Sequence, residues 1–147
     1  MIVRDANILI RAVMGRRVRE LLEQYASPQV QFCAPDAAYV DAEKYFPALL
    51  KKRGKPTADV SGSLDYLQIL VRPINRDTYD VFEAEARERL RGRDEDDWPV
   101  LATALAFTCA IWTEYADFFG TGIGVWTTSR IEIFLKAQAK FSELQED

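Results

Sequence analysis

The sequence predicts an α/β fold: a three-layer α/β/α domain over residues 1–147, with a parallel sheet of about five strands. Three observations predict it. Short β-branched runs alternate from end to end with longer stretches of helical periodicity, the pattern of a parallel sheet with helices on both faces. The length of 147 residues suits one domain with a sizeable core. No repeat or low-complexity segment interrupts the alternation.

The first strand opens at Met1-Ile2-Val3 and runs into the apolar segment Ile8-Leu9-Ile10-Arg11-Ala12, with Asp5 and Asn7 at the junction. Functional groups of α/β proteins collect just past the carboxyl ends of their strands, so the place suits a site. Capping the next helix is the other use of Asp5 or Asn7, and the local sequence leaves both open. Arg16 to Tyr25 reads as an amphipathic helix with Val18, Leu21, Leu22 and Tyr25 inward. Pro28 closes it. Val30 to Ala34 is a buried strand, and Pro35-Asp36 starts a helix, as Pro and Asp do in a first turn. That helix carries Ala38, Tyr39, Ala42, Phe46, Leu49 and Leu50 as its stripe. Glu43 stands at the stripe's edge, where an acid needs water or a partner. The cations Lys51, Lys52 and Arg53, followed by Gly54-Lys55-Pro56, stop the helix.

Thr57 to Leu67 is a further helical segment, and Ile69 to Ile74 a third strand cut off by Pro73. Arg76 to Arg91 reads as one charged amphipathic helix halted at Gly92. The acids Asp94 to Asp97 then front a helix whose stripe is Val100, Leu101, Ala104 and Leu105. Carboxylates complement the N–H groups and dipole of a first turn, but one cap uses one side chain. The surplus charge repels itself unless it is solvated or a cation sits there. Cys109 to Thr113 is a fourth strand, Glu114 to Gly122 an acidic turn-rich loop and Ile123 to Thr128 a fifth strand. Ser129 caps a last helix from Arg130 to Phe141.

Composition removes more function classes than any motif adds. The chain has no histidine, which excludes Ser-His-Asp and Cys-His nucleophiles, His-bound zinc and imidazole acid/base catalysis in their usual forms. Cys33 and Cys109 lie in apolar contexts and read as reduced, buried thiols. Any chemistry therefore rests on carboxylates and a metal. A net charge of −4 argues against coating nucleic acid through a global field, while leaving room for a local basic rim. No apolar run reaches the length of a membrane span and the N-terminus lacks a signal-peptide pattern, so no membrane association and a cytoplasmic location are expected.

Asp5 lies after the first strand, Glu43 on the helix after the second, Asp97 at a helix start and Asp117 in the loop after the fourth, and groups past one strand edge can converge on a single crevice. Together they make an oxygen-only donor set of the kind Mg²⁺ or Mn²⁺ prefers. The segments Val3-Arg4-Asp5-Ala6-Asn7-Ile8-Leu9-Ile10, the helical Glu43, Asp96-Asp97-Trp98-Pro99-Val100-Leu101-Ala102 and Ile111 to Gly120 resemble the PIN-domain ribonucleases, and within them the VapC-type toxins. The resemblance spans about Met1 to Leu135. It implies a metal-dependent endoribonuclease with Asp5, Glu43, Asp97 and Asp117 as catalytic acids; Asp5, Asp97 and Asp117 would be the core metal ligands. Asn7, Thr113, Asp96 and Glu114 would be supporting groups, with Asp96 the competitor for Asp97. It further implies an RNA substrate, a small antitoxin partner and a homodimer. Arg11, Arg16 and Arg17 are the leading candidates for RNA contacts, with Lys51, Lys52 and Arg53 behind them.

The sequence departs from that family pattern in one place, where Tyr115 stands at the position of the earlier acid in the loop after the fourth strand. The alternative reading is thus a PIN-like interaction module with a weakened metal site. Tyr115, Phe118 and Phe119 are candidates for stacking a base or meeting a partner. Phosphoaspartyl chemistry fits poorly, because Asn7 stands where a second Asp is wanted and Pro73-Ile74 where a receiver places its phosphorylated Asp.

Overall fold

Strands β1 (Ile2–Arg4), β2 (Phe32–Pro35), β3 (Val71–Ile74), β4 (Ala110–Trp112) and β5 (Val125–Trp126) form one sheet in the computed structural model, which describes residues 1–54 and 60–145. Their order is β3-β2-β1-β4-β5 and every neighbouring pair is parallel. The side-chain period of two divides the strands between two cores. Ile2, Phe32, Ala34, Val71 and Trp112 point to one face; Val3, Cys33, Ile74 and Ile111 point to the other.

The first face is covered by α1 (Ala6–Met14), α2 (Arg17–Tyr25), α3 (Asp36–Lys52), α4 (Val60–Leu70) and α8 (Ile131–Gln145). The second is covered by α5 (Arg76–Tyr79), α6 (Glu83–Arg89) and α7 (Trp98–Phe107). The predicted three-layer α/β architecture with five parallel strands is what the chain adopts. Arg4 alternates inward with Ile2 and is fully buried, its guanidinium carbon 4.0 Å from the Phe32 ring centroid and 3.8 Å from that of Trp112. None of its side-chain nitrogens has a hydrogen-bond partner among the described residues, so the two ring faces are its compensation, and burial lowers its pKa.

Several boundaries differ from expectation. Pro35 ends β2 rather than beginning α3, which starts at Asp36. Helix α4 runs on to Leu70, so β3 begins at Val71, and it passes through Pro73 to Ile74. An edge strand tolerates proline because one of its sides has no ladder to serve, and β3 is an edge. The segment from Arg76 to Arg91 is not one helix: a 3₁₀ turn, Asp80–Phe82, separates α5 from α6. β5 is two residues long, and Ser129 bonds the Thr127 hydroxyl at 3.1 Å instead of capping α8. Residues 57–59 of the expected fourth helix lie outside the described residues. Both cysteines are free, Cys33 buried and Cys109 half-buried.

Candidate active site

The sheet order reverses between β1 and β4: β1, β2 and β3 run outward to one side and β4 and β5 to the other. Open α/β sheets bind ligands past the carboxyl ends of their strands at such a switch point. Asp5 follows β1 there and Thr113 follows β4. Asp5 is 4% exposed and both of its oxygens are held. Oδ1 accepts from the Ile8 N–H at 3.0 Å, capping α1, and Oδ2 accepts from the Thr113 hydroxyl. The cap and the site readings of Asp5 are therefore not alternatives. One oxygen caps the helix, and the carboxylate as a whole lines a cavity of about 670 Å³. Burial pushes its pKa up against the pull of these hydrogen bonds.

Asp97 enters from the other wall. A 3₁₀ turn, Glu95–Asp97, leads into α7, and Asp94 caps that turn by accepting from the Asp96 N–H at 3.1 Å. Asp97, half-buried, is thereby brought to the cavity with Asp94 and Asp96. Its pKa is raised from 3.8 to about 7, first by burial and then by the charges of Asp94, Asp5, Asp117 and Asp41. The site is a cluster of negative charge; Asp96 and Asp97 both line the cavity, Asp97 half-buried and Asp96 exposed.

The other expected residues are placed unevenly. Asn7 lines the cavity with Tyr115, and its Oδ1 accepts from Arg11 Nε at 3.0 Å. Thr113 is buried behind Asp5 and accepts from the Tyr115 N–H at 3.0 Å, which fixes the start of the loop. Asp117 sits in the 3₁₀ turn Ala116–Phe118, half-buried, and reaches Asp97 through its charge rather than by lining the cavity. Glu114 adds negative charge to the field on Asp5, but its Oε1 accepts from the Thr128 N–H at 2.7 Å. Phe118 is buried core, while Phe119 is exposed.

Glu43 is the expectation the geometry corrects. It is exposed and does not line the cavity; Asp41, on the same helix, does. Residues two apart on a helix are separated by about 200°, so only one of the pair can face α1 and the site. Asp41 and Asp94 are the acids that sequence reasoning missed. Asp41 lies three residues after Ala38 and four before Tyr45, which line the same cavity, a face that the sequence alone does not mark.

The oxygen-only donors and their mutual repulsion fit a hard divalent cation. Among the described residues, no three acidic or thiol side chains are close enough together to form a ready ligand set. The acids ring the cavity without forming a cage.

A family model described as the PIN domain matches residues 3–136. The chain belongs to the PIN-domain family. PIN domains are generally nucleases and typically use divalent metal ions. Among solved structures, this PIN domain is similar to a chain in "Toxin-antitoxin complex from Klebsiella pneumoniae", at 21% identity and a TM-score of 0.62, over 87% of this chain and 98% of that one. At that identity the likeness is one of fold. No curated protein matches the chain. Among the described residues, no helix is long and apolar enough to cross a membrane.

Proposed function

We propose that this PIN domain is a metal-dependent endoribonuclease acting as the toxin of a toxin–antitoxin pair. The observation that carries the reading is the gathering of Asp5, Asp41, Asp94, Asp96 and Asp97 around one cavity, where burial and the neighbouring charges raise the Asp97 pKa and a divalent cation would offset both. Asp5, Asp97 and Asp117 would hold Mg²⁺ or Mn²⁺, with Asp41 taking the place expected of Glu43. When bound, such an ion lowers the pKa of a water and stabilises the charge that develops during in-line attack on a phosphodiester. Asp5 comes to the task pre-oriented, because Ile8 N–H and Thr113 hold both its oxygens and leave it little freedom to lose. Asp97 would give up its proton as the ion arrives, coupling affinity to pH. Asn7 and Tyr115 would together shape the cavity rim. Arg11, Arg16 and Arg17 would contact the RNA backbone.

The similar chain from Klebsiella pneumoniae belongs to a toxin–antitoxin complex, which supports an antitoxin as the regulator of this one, and family expectation supports a homodimer. The decisive assay is expression of the chain with and without a candidate antitoxin, followed by mapping of RNA ends. The reading expects discrete cleavage sites that vanish with chelator and with Asp5→Asn or Asp97→Asn. Full cleavage by both folded variants would remove it. The spread of the acids, with Tyr115 among them, favours one other reading: an interaction module without metal. That reading expects no Mn²⁺ binding that depends on Asp5.

A further inference from the structure

The acidic cavity takes its walls from layers on opposite faces of the sheet. Asp41 comes from α3 on the first face, and Asp97 leads into α7 on the second. Since the acids ring the cavity without a ready cage, the spacing of these walls decides how they could share a cation. Asp36, the first residue of α3, bridges the two layers. Its neighbours Pro35 and Ala37 line the cavity, while its own carboxylate serves α5. Oδ2 accepts from the Arg76 backbone N–H at 3.1 Å, at the start of α5, whose N-cap residue Asn75 makes no side-chain cap. Oδ1 accepts from the Tyr79 hydroxyl at the end of the same helix. Among the described residues, the side-chain hydrogen bonds between α3 and the second layer all end on Asp36.

Tyr79 carries the link on to the other wall. It is 1% exposed, and its ring packs on that of Trp98 with centroids 5.7 Å apart. Trp98 begins α7 and directly follows Asp97. The guanidinium of Arg76 lies over the same indole, its carbon 5.3 Å from the ring centroid, so both groups that donate to Asp36 from α5 belong to residues that touch Trp98. Burial, and then the Asp36 carboxylate, push the Tyr79 hydroxyl above its ordinary pKa, which keeps it a donor. Two other tyrosines among the described residues donate to carboxylates, Tyr25 to Glu132 at 2.8 Å and Tyr66 to Glu23 at 3.0 Å. Neither is fully buried, and their partners lie on α8 and α2, which do not line the acidic cavity. We propose that Tyr79 is a positioning residue for the acidic site: its hydroxyl on Asp36 and its ring on Trp98 hold the α3 and α7 walls at the spacing that a shared divalent cation requires. The inference rests on the cation reading of the site and adds to it a residue that does not line the cavity.

The test is Tyr79→Phe, which keeps the ring against Trp98 and removes only the hydroxyl. Asp36 retains the N–H groups of Ala37 and Arg76 as donors, and circular dichroism checks that the fold persists. Asp36→Asn, which leaves Tyr79 in place, probes the same tie from its other end. Tyr25→Phe is the control, since it deletes a matching hydrogen bond away from the cavity. Calorimetric titration of the folded, metal-free proteins with Mn²⁺ is expected to show Tyr79→Phe and Asp36→Asn binding roughly three- to tenfold more weakly than the parent. That is less than the roughly 10- to 100-fold cost of losing a direct partner of a ligand, because the tie acts on the walls. Tyr25→Phe should bind as the parent does. Amide exchange in EDTA should quicken at residues 36–41 and 94–98 together in Tyr79→Phe, with α8 unchanged. Parent-like Mn²⁺ affinity in folded Tyr79→Phe would overturn the assignment and leave the cation reading standing. An equal loss in Tyr25→Phe, or faster exchange in one wall alone, would also overturn it. Joint loosening of both walls in a protein whose parent binds no Mn²⁺ would remove the cation reading and keep Tyr79 as the tie between them.

Discussion

A carboxyl that keeps its proton to about pH 7 in the fold, against 3.8 in an ordinary setting, is a stability statement as well as a site descriptor. Between those values the folded chain binds a proton at Asp97 that the unfolded chain has released. Stability of the metal-free protein therefore falls as pH rises through this window, and the loss is complete above about 7. Asp5, whose pKa is also raised, acts with the same sign. Because Asp97 is only half-buried, solvent screening cuts the full shift to about 1–2 kcal/mol. Asp97→Asn cannot ionise, so it should match the parent near pH 4 and exceed it by that amount at pH 8. Urea titrations of both proteins in EDTA at the two pH values measure this. A variant no more stable than the parent at pH 8 would mean that the acids do not repel one another as their placement implies.

At the scale of elements, the loop that carries Asp117 is held by two arginines from outside it. Arg89 Nη1 donates to the Thr121 carbonyl at 2.7 Å, and Arg93 Nη1 donates to the carbonyls of Asp117, at 2.6 Å, and Phe119. The loop can approach them because Gly122 has no side chain: a Cβ there would lie 2.8 Å from Arg89 Nη1, at a φ of +89°. Arg89 could not move aside freely, since it also pairs with Glu85 at 2.7 Å. Gly122→Ala should cost about 1–3 kcal/mol through backbone strain and the displaced hydrogen bond. It should also speed amide exchange across residues 116–121 while α1 amides stay protected. Uniform loss of protection, or none, would show that the loop is not a separately clamped unit.

The same scale explains what the sequence disclosed. The front of α7 and the junction after β1 were legible because their chemistry is local: an Asp at a strand end, a run of acids before an apolar stripe. Asp41 was not, because the choice between it and Glu43 depends on how α3 is rolled against α1, and both border the same stripe. The break between α5 and α6 was also silent. Tyr79, Phe82, Ala86 and Leu90 keep the helical spacing across the 3₁₀ turn, and all four pack into the core beneath α7. Periodicity records which face is buried and not whether the backbone between stays α-helical. The arginine clamp on the Asp117 loop was beyond local reading, because Arg93 and Phe119 meet only when α7 and β4 dock on the same face.

For the molecule as a whole, the acids come from segments that meet only when the sheet is complete: the end of β1, the second turn of α3, the approach to α7 and the turn after β4. The unfolded chain holds no equivalent cluster, so a cation that binds the cluster must stabilise the entire fold. At Mn²⁺ a hundredfold above its dissociation constant, the gain is about 2.7 kcal/mol. In a domain of this size each kcal/mol moves the melting temperature by about 2–4 °C, so differential scanning calorimetry should read a rise of roughly 5–10 °C that EDTA reverses. Asp97→Asn separates two contributions with opposite signs, raising the metal-free melting temperature at pH 8 while abolishing the Mn²⁺ increment. An Mn²⁺ increment that survives in the Asp5→Asn/Asp97→Asn double variant would place the cation elsewhere on the molecule. No increment in the parent at saturating Mn²⁺ would favour the interaction module, because acids assembled from four segments at the switch point would then repel one another without ever being neutralised.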